Sequence, residues 1–478
     1  MNKTPSHVLA DSTILPISQK VVKNRIAKSA LTEGLADPRQ NNLPNDSHYE
    51  LYRRWSKGGS GIIITGNVMV DRNCKEAPRN VILDEKTSDL IPFRRWADSI
   101  HQCGQDDQDT MSTSSLPPPL AIMQISHPGR QSPLSSTGLL KQPVAPTGGS
   151  KGRVRLPGGT LGKIAGSLCL LPPRQLTTNE LPTIVSQFAT SARLAEEATF
   201  DGIEIHAAHG YLLCQFLSPT GNCSRTDGYG GDDPRHRQKL IFQIIEAVRE
   251  ATSDDFVVGI KINSIDKRGD SNGVVEFENE RLNLVEELCK LGTVDFIDLS
   301  GGNFEDAIFI GEGGVFFGSF AERVRDRIQH IRQSLAATAV SSDIQVPLIM
   351  VTGGFRSASE MESTVEKGNA DIVALGRPLC IDPNVSAKIL ADPRYQIEMP
   401  IIRIPFSSRN AMLDSSLTSI WYQRQIDLLS QGKQPETNPQ ILVTIFWYIV
   451  MFLRLYVWDW KNPMWGNALV EDGHLKVD

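Results

Sequence analysis

His206-Ala207-Ala208-His209-Gly210-Tyr211 places two imidazoles and a phenol within six residues. The stretch follows Phe200-Asp201-Gly202-Ile203-Glu204-Ile205, an apolar run that reads as a buried strand, so the donors stand where a strand ends and a loop begins. Residues three apart on a regular strand face opposite ways. Both histidines can serve one pocket only if the chain leaves the strand between them, a departure that Gly210 makes easy. Hydrogen-bond donors clustered at a strand's carboxyl end are an active-site arrangement in α/β proteins. Two histidines are also a candidate zinc pair, although no third ligand stands close by in the sequence.

Other polar groups recur at the ends of apolar runs. Val351-Thr352-Gly353-Gly354-Phe355-Arg356-Ser357 and Ala374-Leu375-Gly376-Arg377-Pro378 are glycine-rich turns. Glycine lets backbone N–H groups approach an anion, a following helix N-terminus adds its dipole, and a guanidinium pairs with phosphate oxygens. Either turn alone would be ordinary loop glycine. Together they indicate a phosphate site built from Gly353, Gly354, Gly376 and Arg377. Gln124, in Gln-Ile-Ser-His-Pro-Gly-Arg-Gln-Ser-Pro, offers a donor and an acceptor that suit a heterocycle edge with a carbonyl beside a ring nitrogen. Lys261 lies in Val257-Val258-Gly259-Ile260-Lys261-Ile262-Asn263, where a central-strand lysine points inward at an anion rather than snorkelling outward. Thr32 and Asn67 close the first two runs, and Ser300 the sixth.

The elements that must position these groups are eight apolar, β-branched runs: 21–30, 61–70, 120–125, 202–206, 256–263, 294–300, 346–352 and 370–376. Helical patterns separate most of them, at 181–197, 237–249, 278–291, 319–335 and 357–367. Such alternation implies a parallel sheet with right-handed crossovers, and eight repeats predict a closed α/β (β/α)8 TIM barrel over 13–432. Gly-x-Gly-x-x-Gly follows none of the runs, which argues against a dinucleotide fold.

The 478 residues, 22% charged and 40% hydrophobic, have globular composition, and the net charge of −6 argues against a nucleic-acid partner. Seven cysteines without a Cys-x-x-Cys pair fit a reducing, cytoplasmic setting, and the polar N-terminus is not a secretory signal. Residues 102–119 read as a disordered surface insertion. A C-terminal extension, 433–478, contains the apolar helical segment 441–460. Arg454 and Asp459 keep that segment short of the roughly 18–20 apolar residues of a spanning helix. It fits a helix packed on the barrel or on a partner subunit of a homo-oligomer. It also fits an interfacial membrane anchor, with Trp447, Tyr448, Tyr456 and Trp458 at headgroup depth.

From about Leu15 to Gly432 the chain resembles the old yellow enzyme family, the FMN-dependent ene-reductases and NADH:flavin oxidoreductases. The resemblance rests on Phe216-Leu217-Ser218-Pro219, Asn222, Arg225-Thr226-Asp227 and Tyr229-Gly230-Gly231 within 206–231. It rests also on the 124–133 stretch and on the segments at 23–33, 353–354 and 376–378. It implies FMN across the barrel mouth, lined by Ser29, Ala30, Leu31 and Thr32, with Thr32 near the N5/O4 edge. Gln124 would hold the pyrimidine edge, and Lys261 would stand near N1 and O2 to stabilise the anionic reduced flavin. Gly353, Gly354, Gly376 and Arg377 would hold the phosphate. Asn67 stands where relatives carry a small residue, so Gly66 is a second candidate for that contact. His206 and His209 would bind the substrate carbonyl, and Tyr211 would protonate the α-carbon. Asp232-Asp233-Pro234-Arg235-His236-Arg237 lacks the family's asparagine, a departure at a helix start. No cysteine follows Cys380, which excludes relatives with an iron–sulfur cluster after the barrel.

The resemblance implies an enzyme that takes hydride from NADPH or NADH through FMN and reduces the C=C bond of a small α,β-unsaturated carbonyl compound. The same site would also serve an NAD(P)H oxidase or a tailoring oxidase or isomerase. The apolar tail motivates a third reading, a membrane-associated scaffold, against which the intact pocket residues argue. The Gly-rich, basic loop at 147–173 is placed to cover the pocket.

Overall fold

Each strand pairs in parallel with the next and the last returns to the first, so no strand edge is left open. The computed structural model describes residues 7–102, 117–137, 141–152, 154, 170–264, 271–301, 318–337, 345–402 and 411–456. The barrel strands are β1 (Ile26–Lys28), β2 (Ile62–Ile64), β3 (Leu120–Ser126) and β4 (Gly202–Ala207). They continue as β5 (Val257–Asn263), β6 (Phe296–Ser300), β7 (Leu348–Thr352) and β8 (Ile372–Leu375). Pairing runs β1 to β8 in order, and β8 closes on β1 through Ala374 opposite Ala27. The (β/α)8 TIM barrel predicted from the alternation is therefore the fold, with all eight runs in place. Two runs are longer than their barrel strands. Val21–Val22 forms a separate antiparallel hairpin with Thr13–Ile14, and Val68–Met69 follows β2 as a short strand against Val81–Ile82.

Helices α1 (Asp46–Lys57), α2 (Ile91–His101), α3 (Leu181–Glu197), α4 (Pro234–Ala251), α5 (Ser271–Leu291), α6 (Gly318–Ala337) and α7 (Ala358–Glu366) fill the crossovers. The five helices expected from periodicity are α3 to α7. The expected set does not include α1 and α2, although α1 buries Leu51, Tyr52 and Trp55 at helical spacing. Asp233 caps α4 by accepting from the Arg235 N–H, so the departure there is indeed a helix start.

The strands bury both faces. Ile203, Ile205, Val258, Ile260, Ile297 and Leu299 point outward into the helix layer. The alternate residues fill the barrel axis, where Ala27, Ile62, Ile64, Leu120, Ile122, Val257, Phe296, Met350 and Ile372 pack together. Leu15 and Val22 of the hairpin plug the amino end of this apolar column. Asp295, fully buried, pins the plug by accepting from the backbone and hydroxyl of Ser18 and from Arg249. Among the described residues, the polar side chains Gln124, Glu204, Lys261, Asp298 and Thr352 gather toward the carboxyl end, so the column's polarity favours that mouth for a polar ligand.

Beyond the barrel, α8 (Ala411–Ser430) packs on α1 and buries Trp421, and α9 (Ile441–Tyr456) packs on α8. Ile441 and Thr444 face inward, and Trp447 Nε1 donates to Asp427 at 3.2 Å. Leu442, Phe446, Ile449 and Leu453 form an exposed stripe on the other side. The packed reading of this segment holds for one face of the helix. Among the described residues no helix is long and apolar enough to cross a membrane. Most of the insertion expected at 102–119, most of the loop at 147–173, and all residues after 456 lie outside the described residues.

His48 ties α1 to α2. Its Nδ1 accepts from the Asn45 N–H in a capping box, and its ring meets Trp96 edge-on at 5.3 Å. Burial pushes its pKa down to about 3. The folded protein therefore holds it neutral, and the stability present above pH 6.5 is lost as pH falls from there toward 3. The cost is about 1.4 kcal/mol per pH unit below 6.5. His48→Gln should flatten one proton's worth of the acid limb in urea unfolding between pH 7 and 5. An unchanged slope would contradict this assignment.

Candidate active site

His206 is the penultimate residue of β4 and points along the same inward face as Glu204. The strand ends at Ala207, and His209 adopts φ +55°, the left-handed conformation, followed by Gly210 at +75°. The chain thus leaves the strand between the histidines, as their joint use of one pocket requires. His209 is held there by its N–H on Asn263 Oδ1 at 2.9 Å and by Nε2 against Ser300 Oγ at 2.9 Å. The two imidazoles stand edge to face at 5.1 Å, and the Tyr211 ring lies 4.5 Å from His206.

Burial, then the neighbouring His209 and Lys261, holds the His206 pKa well below 6.5. Burial, then Lys261, pushes that of His209 down to about 3. Both rings are neutral at physiological pH. His206 Nδ1 accepts from the Ala208 N–H, so its Nε2 carries the proton and is a donor.

The loop carrying these rings is stitched by the residues around it. Gln215 Nε2 donates to the Gly210 and Pro128 carbonyls. Asn222 Nδ2 bridges the Phe216 and Tyr229 carbonyls. Arg225, paired with Asp227, donates to the Pro146 and Leu176 carbonyls. These motif residues are scaffold rather than chemistry.

Tyr211 faces the ends of β1 and β2. Asn67 Nδ2 donates to its hydroxyl at 3.3 Å and to Thr32 Oγ1 at 3.2 Å. All three converge on a carboxylate that the sequence did not single out, Glu76. Asn67 Oδ1 is buried without a partner, an acceptor available to a ligand N–H. The Gly66 N–H is already used by Glu33 Oε1 and by the Tyr52 hydroxyl, at 2.9 Å each. A Cβ on Gly66 would lie 2.2 Å from the Glu33 carboxylate, so glycine is required there by close approach rather than by a ligand.

On the axis, Lys261 is buried between Asp298, which its Nζ contacts, and Glu204 at 3.6 Å. Ser29 Oγ lies 3.4 Å from the same Nζ. Gln124 Nε2 donates to Glu204, and Thr352 Oγ1 to Asp298 at 2.6 Å. Burial alone would lower the lysine pKa, but Asp298 and Glu204 reverse this and raise it. Burial pushes Glu204 up to about 8, against the pull of Lys261. The lysine does point inward, yet the anions it meets are the protein's own. Its outward counterpart is Lys28, buried on Trp55 at 4.3 Å and donating to the Ile64 carbonyl at 2.7 Å.

Across the mouth, Gly353 and Gly354 have φ +100° and +90°, and a Cβ on Gly353 would meet open space. That glycine keeps a cradle clear. Its N–H bonds the Ala374 carbonyl, which places the first turn beside Gly376 and Arg377. The α7 N-terminus is occupied by its own capping box of Ser357 and Glu360. The helix after Arg377 is one turn, Pro378–Ile381. Helix dipoles therefore add less here than the sequence suggested. Arg356, which the sequence offered only as part of the turn, lies near Arg377: burial and then that guanidinium lower its pKa. Ala30 and Leu31 follow β1 on this side, with Leu31 Cδ2 against Gly376.

The residues present fit a flavin mononucleotide: an orphaned acceptor and neutral donors at one side, an open cradle with two guanidiniums at the other. Among the described residues, Asp71, Cys74 and His127 are the group whose ligand atoms lie close enough, within 4.8 Å, to suit a metal. His127 Nδ1, however, accepts from the Gly129 N–H, as in an ordinary loop contact.

Lys261→Met should leave two buried carboxylates without a cation and cost about 3–5 kcal/mol in urea unfolding of the flavin-free protein. Adding Glu204→Gln and Asp298→Asn should recover much of the loss. Equal stability of Lys261→Met and wild type would contradict the ion cluster.

The family model described as NADH:flavin oxidoreductase / NADH oxidase matches residues 15–394. An NADH-dependent flavin oxidoreductase from Neonectria sp. (strain DH2) is 35% identical over 413 residues, 82% of this chain and 49% of the relative. One from Hypocrea jecorina (strain QM6a) is 34% identical over 377 residues, 77% of this chain and 86% of the relative. The chain thus spans about half the length of the first relative and most of the second. Morphinone reductase superposes with a TM-score of 0.62 at 21% identity, over 83% of this chain and 92% of its own. The old yellow enzyme homologue of Zymomonas mobilis superposes with 0.61 at 20% identity, over 81% and 94%. The two structures agree in fold, and on the sequence matches the chain belongs to the NADH:flavin oxidoreductase / NADH oxidase family.

Proposed function

We propose that this chain is an FMN-dependent oxidoreductase that takes hydride from NAD(P)H and reduces the C=C bond of an α,β-unsaturated carbonyl compound. The observation that carries the reading is the convergence of His206, His209 and Tyr211 on one mouth with Thr32 and Asn67. Bound here, FMN would supply the two-electron hydride chemistry that links the nicotinamide to the alkene. Ser29 to Thr32, Asn67, Gln124 and Lys261 would hold its ring system, and Gly353, Gly354, Gly376, Arg377 and Arg356 its phosphate. His206 donates from Nε2 to the substrate carbonyl, and His209, fixed by Asn263 and Ser300, completes the carbonyl site. Neutral donors suit this task, since they stabilise a developing enolate without a full charge in the resting pocket. Tyr211, whose pKa burial and then Glu76 hold well above 10, keeps its proton until the α-carbon needs it. The two fungal relatives are named as NADH-dependent, which makes NADH the first donor to test.

Purified protein should be yellow, with bound FMN, and should oxidise NADH faster with cyclohexenone than with dioxygen alone. A colourless protein that ignores added FMN would overturn the reading. Oxygen uptake that outpaces enone turnover would place the protein among oxidases instead. His206→Ala should slow flavin reoxidation by the enone by roughly 10²-fold or more. Stopped-flow traces of reduction and reoxidation separate that loss from a loss of nicotinamide binding.

A further inference from the structure

Glu76 lies in the segment between the end of β2 and the short strand Val81–Ile82. Three side chains from three different elements end on its carboxyl group. Thr32 Oγ1, after β1, is 2.8 Å from Oε1, and Asn67 Nδ2, after β2, is 2.6 Å from Oε2. The Tyr211 hydroxyl, after β4, bonds Oε2 as well. Among the described residues no lysine or arginine pairs with this carboxyl. A buried carboxylate without a cation is costly, and the neutral form is the economical one. Burial accordingly raises the Glu76 pKa, opposed by the bonds from Tyr211, Thr32 and Asn67.

Tyr211 needs such a neighbour. Once it has given up its proton it is a phenolate in a buried pocket. The titratable groups on its side are His206 and His209, both held neutral by burial, so neither has a second proton to give. On the other side are Glu76 and the Asp71, Cys74, Lys75 and Arg79 groups of the same segment, of which Glu76 alone bonds the Tyr211 oxygen.

We propose that Glu76 is the proton relay behind Tyr211, a positioning residue that orients the phenol and refills it during turnover. The inference rests on the function proposed above. In the step, the Tyr211 O–H bond breaks as the enolate's electron pair forms the α-carbon C–H bond. The Glu76 O–H bond then breaks as the phenol O–H forms again. The carboxylate takes its next proton from solvent, and no electrons change hands in either transfer.

The test compares Glu76→Gln with Glu76→Asp in the flavin-loaded enzyme. Glutamine keeps the shape and hydrogen bonds but has no proton to pass on, whereas aspartate keeps the proton and loses length. The relay predicts that flavin reoxidation by cyclohexenone falls about 10²-fold in Glu76→Gln and much less in Glu76→Asp. A structural role predicts the reverse order and would overturn the relay. Glu76→Gln should also add nothing in a Tyr211→Phe background, because it acts through that phenol; additive losses would overturn it. Infrared difference spectra should show a protonated carboxyl at neutral pH in wild type, absent in Glu76→Gln. Its absence from wild type would overturn the relay even if one variant failed to fold. Wild-type reduced enzyme that no enone reoxidises would overturn the proposed function and the relay together. Normal enone turnover with a harmless Glu76→Gln would overturn the relay alone.

Discussion

A charged cluster on the axis of an otherwise apolar barrel is the constraint around which the site is built. Lys261, Glu204 and Asp298 are each 0–2% exposed and come from three adjacent strands. Isolated, any one of them would carry a prohibitive desolvation cost. Together they are tolerable only if the strand register holds, with His206 opposite Lys261 and Lys261 opposite Asp298. A slip of one residue would turn these groups into the helix layer and bring leucine and isoleucine to the axis. The cluster therefore enforces the register that also sets His206, Asn263 and Ser300 at the mouth. Gln124 and Thr352 extend it sideways, so that five of the eight strands contribute to one polar floor.

Above that floor the groups sort by charge state. The β4 side carries neutral imidazoles and a phenol, kept neutral by burial. The β1 and β2 ends carry Thr32 and Asn67, tied to Glu76. A second buried pair, Glu33 with Tyr52, sits behind Gly66 and beside Lys28. These contacts tie down the backbone of the first two strand ends without any ligand. Pre-set donors cost no reorganisation during a reaction.

The sequence carried the strands, five of the helices and the polar residues at the strand ends, because alternation and apolar runs are local signals. What it hid is instructive. Glu204 and Asp298 stand two residues before His206 and Ser300 and so share their inward face. The two-residue period could have identified both. Glu76 had no such signal, since it lies in an aperiodic segment and only the closed barrel brings Thr32, Asn67 and Tyr211 to it. The helix dipoles expected at the phosphate turns were overestimated because Ser357 and Glu360 form a capping box whose partner positions read as ordinary loop polarity. Lys28 hid in the first run because an outward lysine suggests solvent, whereas α1 lays Trp55 over it.

Charge balance also decides which way an asymmetric ligand must lie in the mouth. Lys261 looks like the strongest anion attractor in the sequence, but its charge is opposed by two carboxyl groups in contact range. Arg377 is different: among the described residues no carboxylate pairs with it, and burial and then this guanidinium lower the pKa of the neighbouring Arg356. Two guanidiniums this near repel each other, and an anion joining them would relieve the repulsion. The dianionic end of a ligand would be favoured at the turns after β7 and β8, where a Cβ on Gly353 would meet open space. The floor around Lys261, whose charge its own carboxyl neighbours oppose, offers such a group no comparable attraction.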